Sequence, residues 1–348
     1  MWRLAAGLLA LKTPFILASN QYVPQFEDSK IHLLAGSASR ELTREVAGCL
    51  GISPGRVYED KFADSETIVK VLDEVRGKDV FIIQATGPPV NDNLMELFLL
   101  ISCLKKSDCR RVIAVVPYMA YSRADPDEGS VTATALASSD ISRMMEALGV
   151  DAVITIDLHR NHARGYYTKP VANLTARQLA VEYFTYKGLN KPVIVSPDLH
   201  GFTRAYEFLL EMKNAGIECD IALMPQSGSR IKPFMGKEIA DEAAFISGKE
   251  LAGRDVIIVD DMIVTGKTIL NAVEELRRRD AEKIYVFATH GLFCGPAIMN
   301  IGKSNITEVV VTNTIGMQSD TAKIRQLSVA KLIAETIKEF HQNRNSHS

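Results

Sequence analysis

The run Val256-Ile257-Ile258-Val259-Asp260-Asp261-Met262-Ile263-Val264-Thr265-Gly266-Lys267-Thr268 decides the fold class. Its first four residues are apolar and read as a strand buried on both faces. Two adjacent carboxylates follow, then a Thr-Gly-Lys-Thr turn, then a helical pattern over residues 269–279. A strand that feeds a helix through such a loop gathers free backbone N–H groups and the positive end of a helix dipole at one point, where a phosphate can rest. Asp260 and Asp261 stand just before that point. They are placed to accept hydrogen bonds from vicinal hydroxyls, such as those of a ribose whose 5-phosphate lies on the loop. The Gly-Lys-Thr triplet is not a nucleotide P-loop, because that pattern requires a glycine at position 261, which is Asp here. The competing reading is an acidic turn that caps a helix through Thr265.

The same rhythm extends outward along the chain. Strand patterns occur at Ile31–Ala35, 80–84, 112–116, Ala152–Ile156, Val193–Ser196, 221–223, 256–259, 284–288 and 309–312. Helical patterns alternate with them at Arg40–Leu50, 133–148, 175–186, Phe202–Asn214 and 269–279, and Asn91 and Asp92 read as caps of a further helix carrying Leu94, Leu97, Phe98, Ile101 and Leu104. Strands separated by helices imply parallel sheets covered on both faces. The expected fold class is therefore α/β, with two similar doubly wound domains and mainly parallel sheets. Lys169-Pro170 disfavours helix and marks the boundary, giving domains 31–170 and 171–348 behind an N-terminal extension of residues 1–30. Ligands of such sheets bind beyond the carboxyl ends of the strands. Arg123, Asp157, His159, Asp198, Asp260 and Asp261 all fall there.

Composition narrows the function class. The 348 residues are 47% hydrophobic, enough for two real cores, and the net charge of −2 offers no electrostatic case for nucleic acid or an anionic membrane as the main partner. Five cysteines without CxxC spacing read as reduced, mostly buried thiols rather than a zinc site or disulfide scaffold. Residues 1–20 carry Arg3 and Lys12 and no acid, and the apolar run 4–11 is too short to span a bilayer. Residues 1–30 are expected to be either an added N-terminal segment on a cytoplasmic protein or a transit sequence to an organelle such as the mitochondrion.

Two further groups suggest chemistry. Asp157-Leu158-His159 places two side chains near one strand end on the same side, where with Asp198 they could hold Mg²⁺, which takes one or two carboxylates plus substrate phosphates. Alternatively, His159 is a helix-entry residue bonded to backbone. Phe62, Asp64 and Glu66 alternate on what reads as an extended segment and so face one side, an aromatic ring with two acceptors suited to an adenine amine, or else the charged outer face of an edge strand.

Taken together these segments resemble the ribose-phosphate pyrophosphokinase family, of the phosphoribosyltransferase-like fold. The resemblance is carried by the 256–268 run, by Phe62-Ala63-Asp64-Ser65-Glu66, Asn91-Asp92-Asn93-Leu94-Met95-Glu96-Leu97, Pro117-Tyr118 with Tyr121-Ser122-Arg123, Asp157-Leu158-His159, Ser196-Pro197-Asp198, Thr289-His290-Gly291 and Val311-Thr312-Asn313-Thr314-Ile315. They occur in family order from about Ile31 to the last helix. The resemblance implies transfer of the β,γ-diphosphoryl group of ATP to C1 of ribose 5-phosphate, giving phosphoribosyl pyrophosphate and AMP for nucleotide biosynthesis. It implies ATP at Phe62, Asp64, Glu66 and Arg123, with the aromatic loop reaching across a subunit interface. Ribose 5-phosphate would lie at Asp260, Asp261, Val264, Thr265, Gly266, Lys267 and Thr268, and Mg²⁺ at His159 and Asp198 beside Asp157. It also implies oligomers built on dimers, up to hexamers, either of this chain alone or with a paralogue.

Several positions depart from the family pattern. The Lys-x-Arg pair of its catalytic loop aligns with Gln226 and Gly228, with Arg230 and Lys232 a few residues on as the candidate catalytic cations. Val264 and Lys267 replace an acidic residue and a glycine of the phosphate loop, Ala124 replaces a glutamine, and Leu199-His200-Gly201 follows Ser-Pro-Asp where Gly-Gly is usual. The expected function is a ribose-phosphate diphosphokinase. The alternative is a weakly active or inactive relative that regulates an active synthetase. A phosphoribosyltransferase acting with a base is a third reading, against which the ATP-side motifs speak.

Overall fold

The computed structural model describes residues 31–123, 135–224, 244–245, 251–317 and 321–342. Residues 1–30, and with them the targeting expectation, lie outside the described residues, as do Arg230 and Lys232. Among the described residues the chain forms two parallel sheets and one small antiparallel hairpin.

The first half runs β1 (Ile31–Ala35), α1 (Arg40–Leu50), β2 (Val57–Lys61), β3 (Thr67–Val71), β4 (Asp79–Ile83), α2 (Val90–Lys106), β5 (Arg111–Val116), α3 (Ala137–Ala147), β6 (Ala152–Ile156) and β7 (Val171–Leu174). Strands β1-β4-β5-β6-β7 pair in that order, all parallel. Their side chains divide by the two-residue period of a strand. Leu33, Phe81, Ile83, Val115 and Ile154 join α1 on one face, while Leu34, Ile82, Val112, Val116 and Val153 join α2 and α3 on the other. Asn91 and Asp92 lie inside the first turn of α2 rather than capping it; its N-cap is Pro89, which makes no side-chain cap bond.

The second half runs α4 (Arg177–Thr185), β8 (Val193–Ser196), α5 (Phe202–Asn214), β9 (Asp220–Leu223), β10 (Ala244–Phe245), β11 (Val256–Ile263), α6 (Lys267–Arg278), β12 (Ile284–Gly291), α7 (Ala297–Lys303), β13 (Glu308–Thr312), β14 (Ile324–Leu327) and α8 (Ala330–Gln342). Its strand order is β10-β9-β8-β11-β12-β13-β14, again parallel. Val195, Val256, Ile258 and Val286 pack beneath α6 and α7, and Ile194, Ile257, Val259 and Phe287 beneath α4 and α5. The order reverses between β8 and β11. Helices leaving these two strands go to opposite faces, so a crevice opens at their carboxyl ends.

Two expectations change. The first sheet does not end at Pro170: Val171 to Leu174 pair with Val153 to Ile156 as one more edge strand, which the Pro170 carbonyl begins by accepting the Val153 N–H at 3.0 Å. The C-terminal helix also returns to the first half. Val329, Ala330, Ile333, Ala334 and Ile337 pack with α1 and β1. Ile333 and Ile337 are wholly buried there, each stabilising that union by about 1.5–3 kcal/mol. All five cysteines are free, and only Cys109 and Cys219 are buried.

Candidate active site

Strand β11 continues four residues beyond Val259, so Asp260 and Asp261 belong to the strand end itself. The extension is held by the segment after β12: Leu292 and Phe293 N–H both donate to the Ile263 carbonyl at 3.0 Å, and Cys294 N–H to Val264 at 2.7 Å. Gly266 then turns the chain at φ 74° and begins α6. That left-handed conformation favours glycine. Thr265 does not cap the helix; Gly266 is the N-cap and offers no side chain. The N–H groups of the first turn therefore have no intrahelical acceptor and remain available to an anion, with Thr265, Lys267 and Thr268 exposed around them.

The carboxylates beside this loop have unlike surroundings. Asp261 Oδ2 accepts from His159 Nδ1 at 2.5 Å, although 102 positions separate the two residues. Arg204, in the first turn of α5, places Nη1 3.2 Å from Asp260 Oδ1 and 3.5 Å from Asp261 Oδ1. Burial opposes ionisation of Asp261, but the His159 hydrogen bond and the Arg204 charge outweigh it and hold its carboxyl well below the usual range. Asp260 is pushed upward, first by burial and then by the charge of Asp261. The pair thus presents one firm anion and one carboxyl that resists ionisation. Asp198, at the end of β8 on the other side of the switch point, uses Oδ1 to accept the Gly201 N–H at 2.8 Å.

His159 bonds to a carboxylate of the second half, so its reading as a backbone-bonded helix-entry residue is corrected. Asp157 adopts φ 41°, and its Oδ2 accepts the Ala176 N–H at 3.0 Å and the Thr289 hydroxyl at 2.7 Å. Through Oδ2 this carboxylate fastens a turn to β12. Among the described residues no group of three His, Cys, Asp or Glu side chains is arranged to hold a metal ion by itself.

Behind the crevice lies a buried polar network of Thr289, His290, Thr312 and Thr314, residues to which the sequence alone assigns no role. His290 Nε2 lies 3.3 Å from the Asp157 carbonyl, which can only accept, so this nitrogen carries the proton and Nδ1 accepts from the Thr314 hydroxyl at 2.9 Å. Burial lowers the His290 pKa and keeps the ring neutral. An extra residue in β12 between Phe287 and His290, relative to β13, re-aims this stretch toward the first half. Tyr118 packs edge-on against His290 with centroids 5.0 Å apart. Burial raises the Tyr118 pKa, while Arg123 pulls it down and Asp261 pushes it up, so these two charges flank one phenol. The loop that carries Arg123 is pinned by Thr86, whose Oγ1 donates to Tyr118 O at 2.9 Å and accepts the Ala120 N–H at 2.8 Å.

Phe62, Asp64 and Glu66 do not alternate on an extended segment. They form the turn of the β2–β3 hairpin, closed by Phe62 N–H to Glu66 O at 2.9 Å and by Ser65 at φ 76°. The turn tightens because Asp64 Oδ1 accepts the Glu66 N–H at 3.2 Å. Phe62 is 57% exposed at its tip, and the hairpin stands as a sheet of its own.

Residues 31–149 match the N-terminal domain of ribose phosphate pyrophosphokinase, and residues 226–348 the phosphoribosyl synthetase-associated domain. The ribose-phosphate pyrophosphokinase of Vibrio parahaemolyticus is 37% identical over 311 residues, covering 88% of this chain and 95% of that one. The chain belongs to the ribose-phosphate pyrophosphokinase family. The enzyme of that name from Helicobacter pylori is 36% identical over 316 residues, 91% of this chain and 95% of its own. Among solved structures, phosphoribosylpyrophosphate synthetase from Mycobacterium smegmatis superposes with a TM-score of 0.79 at 28% identity, over 90% of this chain and 99% of that one. The two-sheet pyrophosphokinase fold expected from sequence is therefore the fold of this chain. Arg204 is the residue of the crevice that sequence reasoning missed. Its signal was an arginine one helical turn past Gly201, in the helix that follows the Ser-Pro-Asp strand end.

Proposed function

We propose that this chain transfers the diphosphoryl group of ATP to the C1 hydroxyl of ribose 5-phosphate, giving phosphoribosyl pyrophosphate and AMP. The observation that supports this best is the meeting of both halves at the β8–β11 crevice, where His159 of the first half bonds Asp261 of the second at 2.5 Å beside the Gly266 loop. In this reading Asp260 and Asp261 accept the ribose hydroxyls. The N–H groups of the loop spanning Val264, Thr265, Gly266, Lys267 and Thr268 receive the 5-phosphate. Arg123 grips ATP phosphates. Phe62, Asp64 and Glu66 hold the adenine from a neighbouring copy in a dimer-based oligomer, which accounts for an aromatic left bare on a hairpin tip.

The donor set of the crevice fits Mg²⁺, which binds one or two carboxylates plus substrate phosphates. His159 and Asp198 would hold it, with Asp157 beside them, its Oδ2 bonded to Ala176 and Thr289. When bound, Mg²⁺ supplies neutralisation of the diphosphate charge. The protein's own part is to place the C1 hydroxyl in line with the phosphoryl group and to meet charge with fixed cations. Arg230 and Lys232 are the proposed catalytic cations.

The test is AMP formation by the purified chain with ATP, ribose 5-phosphate and Mg²⁺, which should require all three. A second reading rests on Gln226 and Gly228 standing where the family carries Lys and Arg. A chain that binds ribose 5-phosphate yet forms no AMP alone, and gains a stable complex with an active paralogue, would be a regulatory subunit.

A further inference from the structure

Among the described residues Arg204 is the cation in contact with both Asp260 and Asp261, through a single nitrogen: Nη1 lies 3.2 Å from Asp260 and 3.5 Å from Asp261. Its side chain is 27% exposed, so the guanidinium is partly buried against the pair. Gly201 packs beside it. A Cβ there would stand 3.1 Å from Ser196 Oγ, 3.5 Å from Asp198 Oδ1 and 3.6 Å from Arg204 Nη1. Gly201 has φ −79° and ψ −6°, which any residue can adopt. The glycine therefore serves space, against Ser196 Oγ, and not backbone freedom. Arg204 is thus set between the ends of β8 and β11, with Asp198 on one side and the Asp260–Asp261 pair on the other.

Acidic side chains gathered at one strand-end crevice with no cation among them would repel a sugar phosphate. A guanidinium stays protonated at any working pH, and its planar fork orients what it binds. We infer that Arg204 is a positioning residue for the sugar phosphate: it neutralises the Asp260–Asp261 pair and holds the Asp260 carboxylate turned toward the vicinal hydroxyls. The inference rests on the ribose 5-phosphate reading of this crevice. It assigns to a fixed helix residue part of the positive charge that the departures at 226 and 228 remove from the catalytic loop.

The experiment compares the full-length wild type with Arg204→Gln and Arg204→Lys. Ribose 5-phosphate binding is measured by calorimetry, and KM and kcat by AMP formation. Loss of a charge-assisted hydrogen bond predicts that Arg204→Gln weakens ribose 5-phosphate binding about 10- to 100-fold. The KM for ATP should shift by less than about 3-fold, and Arg204→Lys should recover part of the loss because it restores the charge without the fork. Equal ribose 5-phosphate affinity in Arg204→Gln and wild type overturns the inference while leaving the proposed function standing. So does a Gln variant that loses ATP and sugar phosphate affinity alike with no recovery in Lys, which would mark a merely structural arginine. A wild type that forms no AMP and binds no ribose 5-phosphate removes the proposed function, and this inference with it.

Discussion

Asp79 tests how the two halves are held together. Its carboxylate is fully buried at the start of β4. Oδ1 accepts Nε–H of Arg110 at 2.7 Å and of Arg111 at 2.9 Å, Oδ2 accepts an Nη2 from each, and His341 of α8 places Nδ1 3.0 Å from Oδ2. Asp79→Ala removes the acceptor from all three. Breaking a buried ion pair by deleting one partner costs about 3–5 kcal/mol. Arg110 is 38% exposed, so its cation returns to water and its share shrinks toward the roughly 0–1 kcal/mol of a surface pair. Arg111, 15% exposed, and the buried His341 cannot be resolvated without moving α8. The expected loss is therefore at the lower end, about 3 kcal/mol for Asp79→Ala, and about half that for Asp79→Asn, which keeps one acceptor oxygen.

The pH dependence has a definite sign. Burial works to raise the Asp79 pKa, but the hydrogen bonds from Arg111 and Arg110 hold it well below the usual range. The unfolded chain then takes up the proton first as pH falls. The stabilisation is complete above the ordinary Asp value of about 3.9 and is lost as pH drops from there toward the folded value. Urea unfolding of wild type and variant at pH 7 and at pH 3, with amide exchange across α8, measures both effects. A loss under about 1 kcal/mol at pH 7 would refute the reasoning, given the size expected for a broken buried pair. A gap unchanged between pH 7 and pH 3 would refute it as well.

Three further outcomes follow from the crevice. Gly266→Ala forces a side chain into φ 74° where the nearest atoms are 3.9 Å away, so strain without crowding should cost about 1–2 kcal/mol and weaken ribose 5-phosphate binding, while Gly266→Asn should cost less; equal losses in melting temperature would point to crowding instead. His290→Phe deletes both bonds of a buried ring and turns the Thr314 hydroxyl to its longer contact with the Thr289 carbonyl at 3.3 Å, costing about 1–3 kcal/mol in chemical denaturation; an unchanged denaturation midpoint would show that the network carries no energy. Asp260 resists ionisation in the fold, so the stability it contributes is full below the ordinary carboxylate value and is lost as pH rises above it. Asp260→Asn keeps an acceptor for Arg204 and needs no charge; it should therefore gain on wild type in thermal melts from pH 4 to pH 8 while losing sugar phosphate affinity, and a widening deficit at pH 8 would contradict this.

The sequence by itself determined the fold class and the strand ends where chemistry collects. β6, β8, α1 and α5 fall on the residues that their hydrophobic periods indicate, because a buried strand or helix imposes its period locally. The acid pair, the glycine turn and the helix start at 260–268 were legible for the same reason. Missed were elements whose residues have no stable face of their own. The β2–β3 hairpin is half exposed, and its turn chemistry at Asp64 and Ser65 looks like alternation. β7 follows a proline that reads as a boundary, and the register shift in β12 leaves no compositional mark.

Which side chains meet depends on the packing of the whole chain. His159 lies 102 positions from Asp261 and Asp157 132 positions from Thr289, and nothing in the local pattern distinguishes one carboxylate's partner from the other's. The return of α8 to the first half, and the placing of Arg204 between β8 and β11, depend likewise on how two sheets are wound and docked. Periodicity is a property of neighbouring residues. Partner choice is a property of the whole packed chain, where each buried polar group must find the one acceptor or charge that the surrounding core leaves within reach.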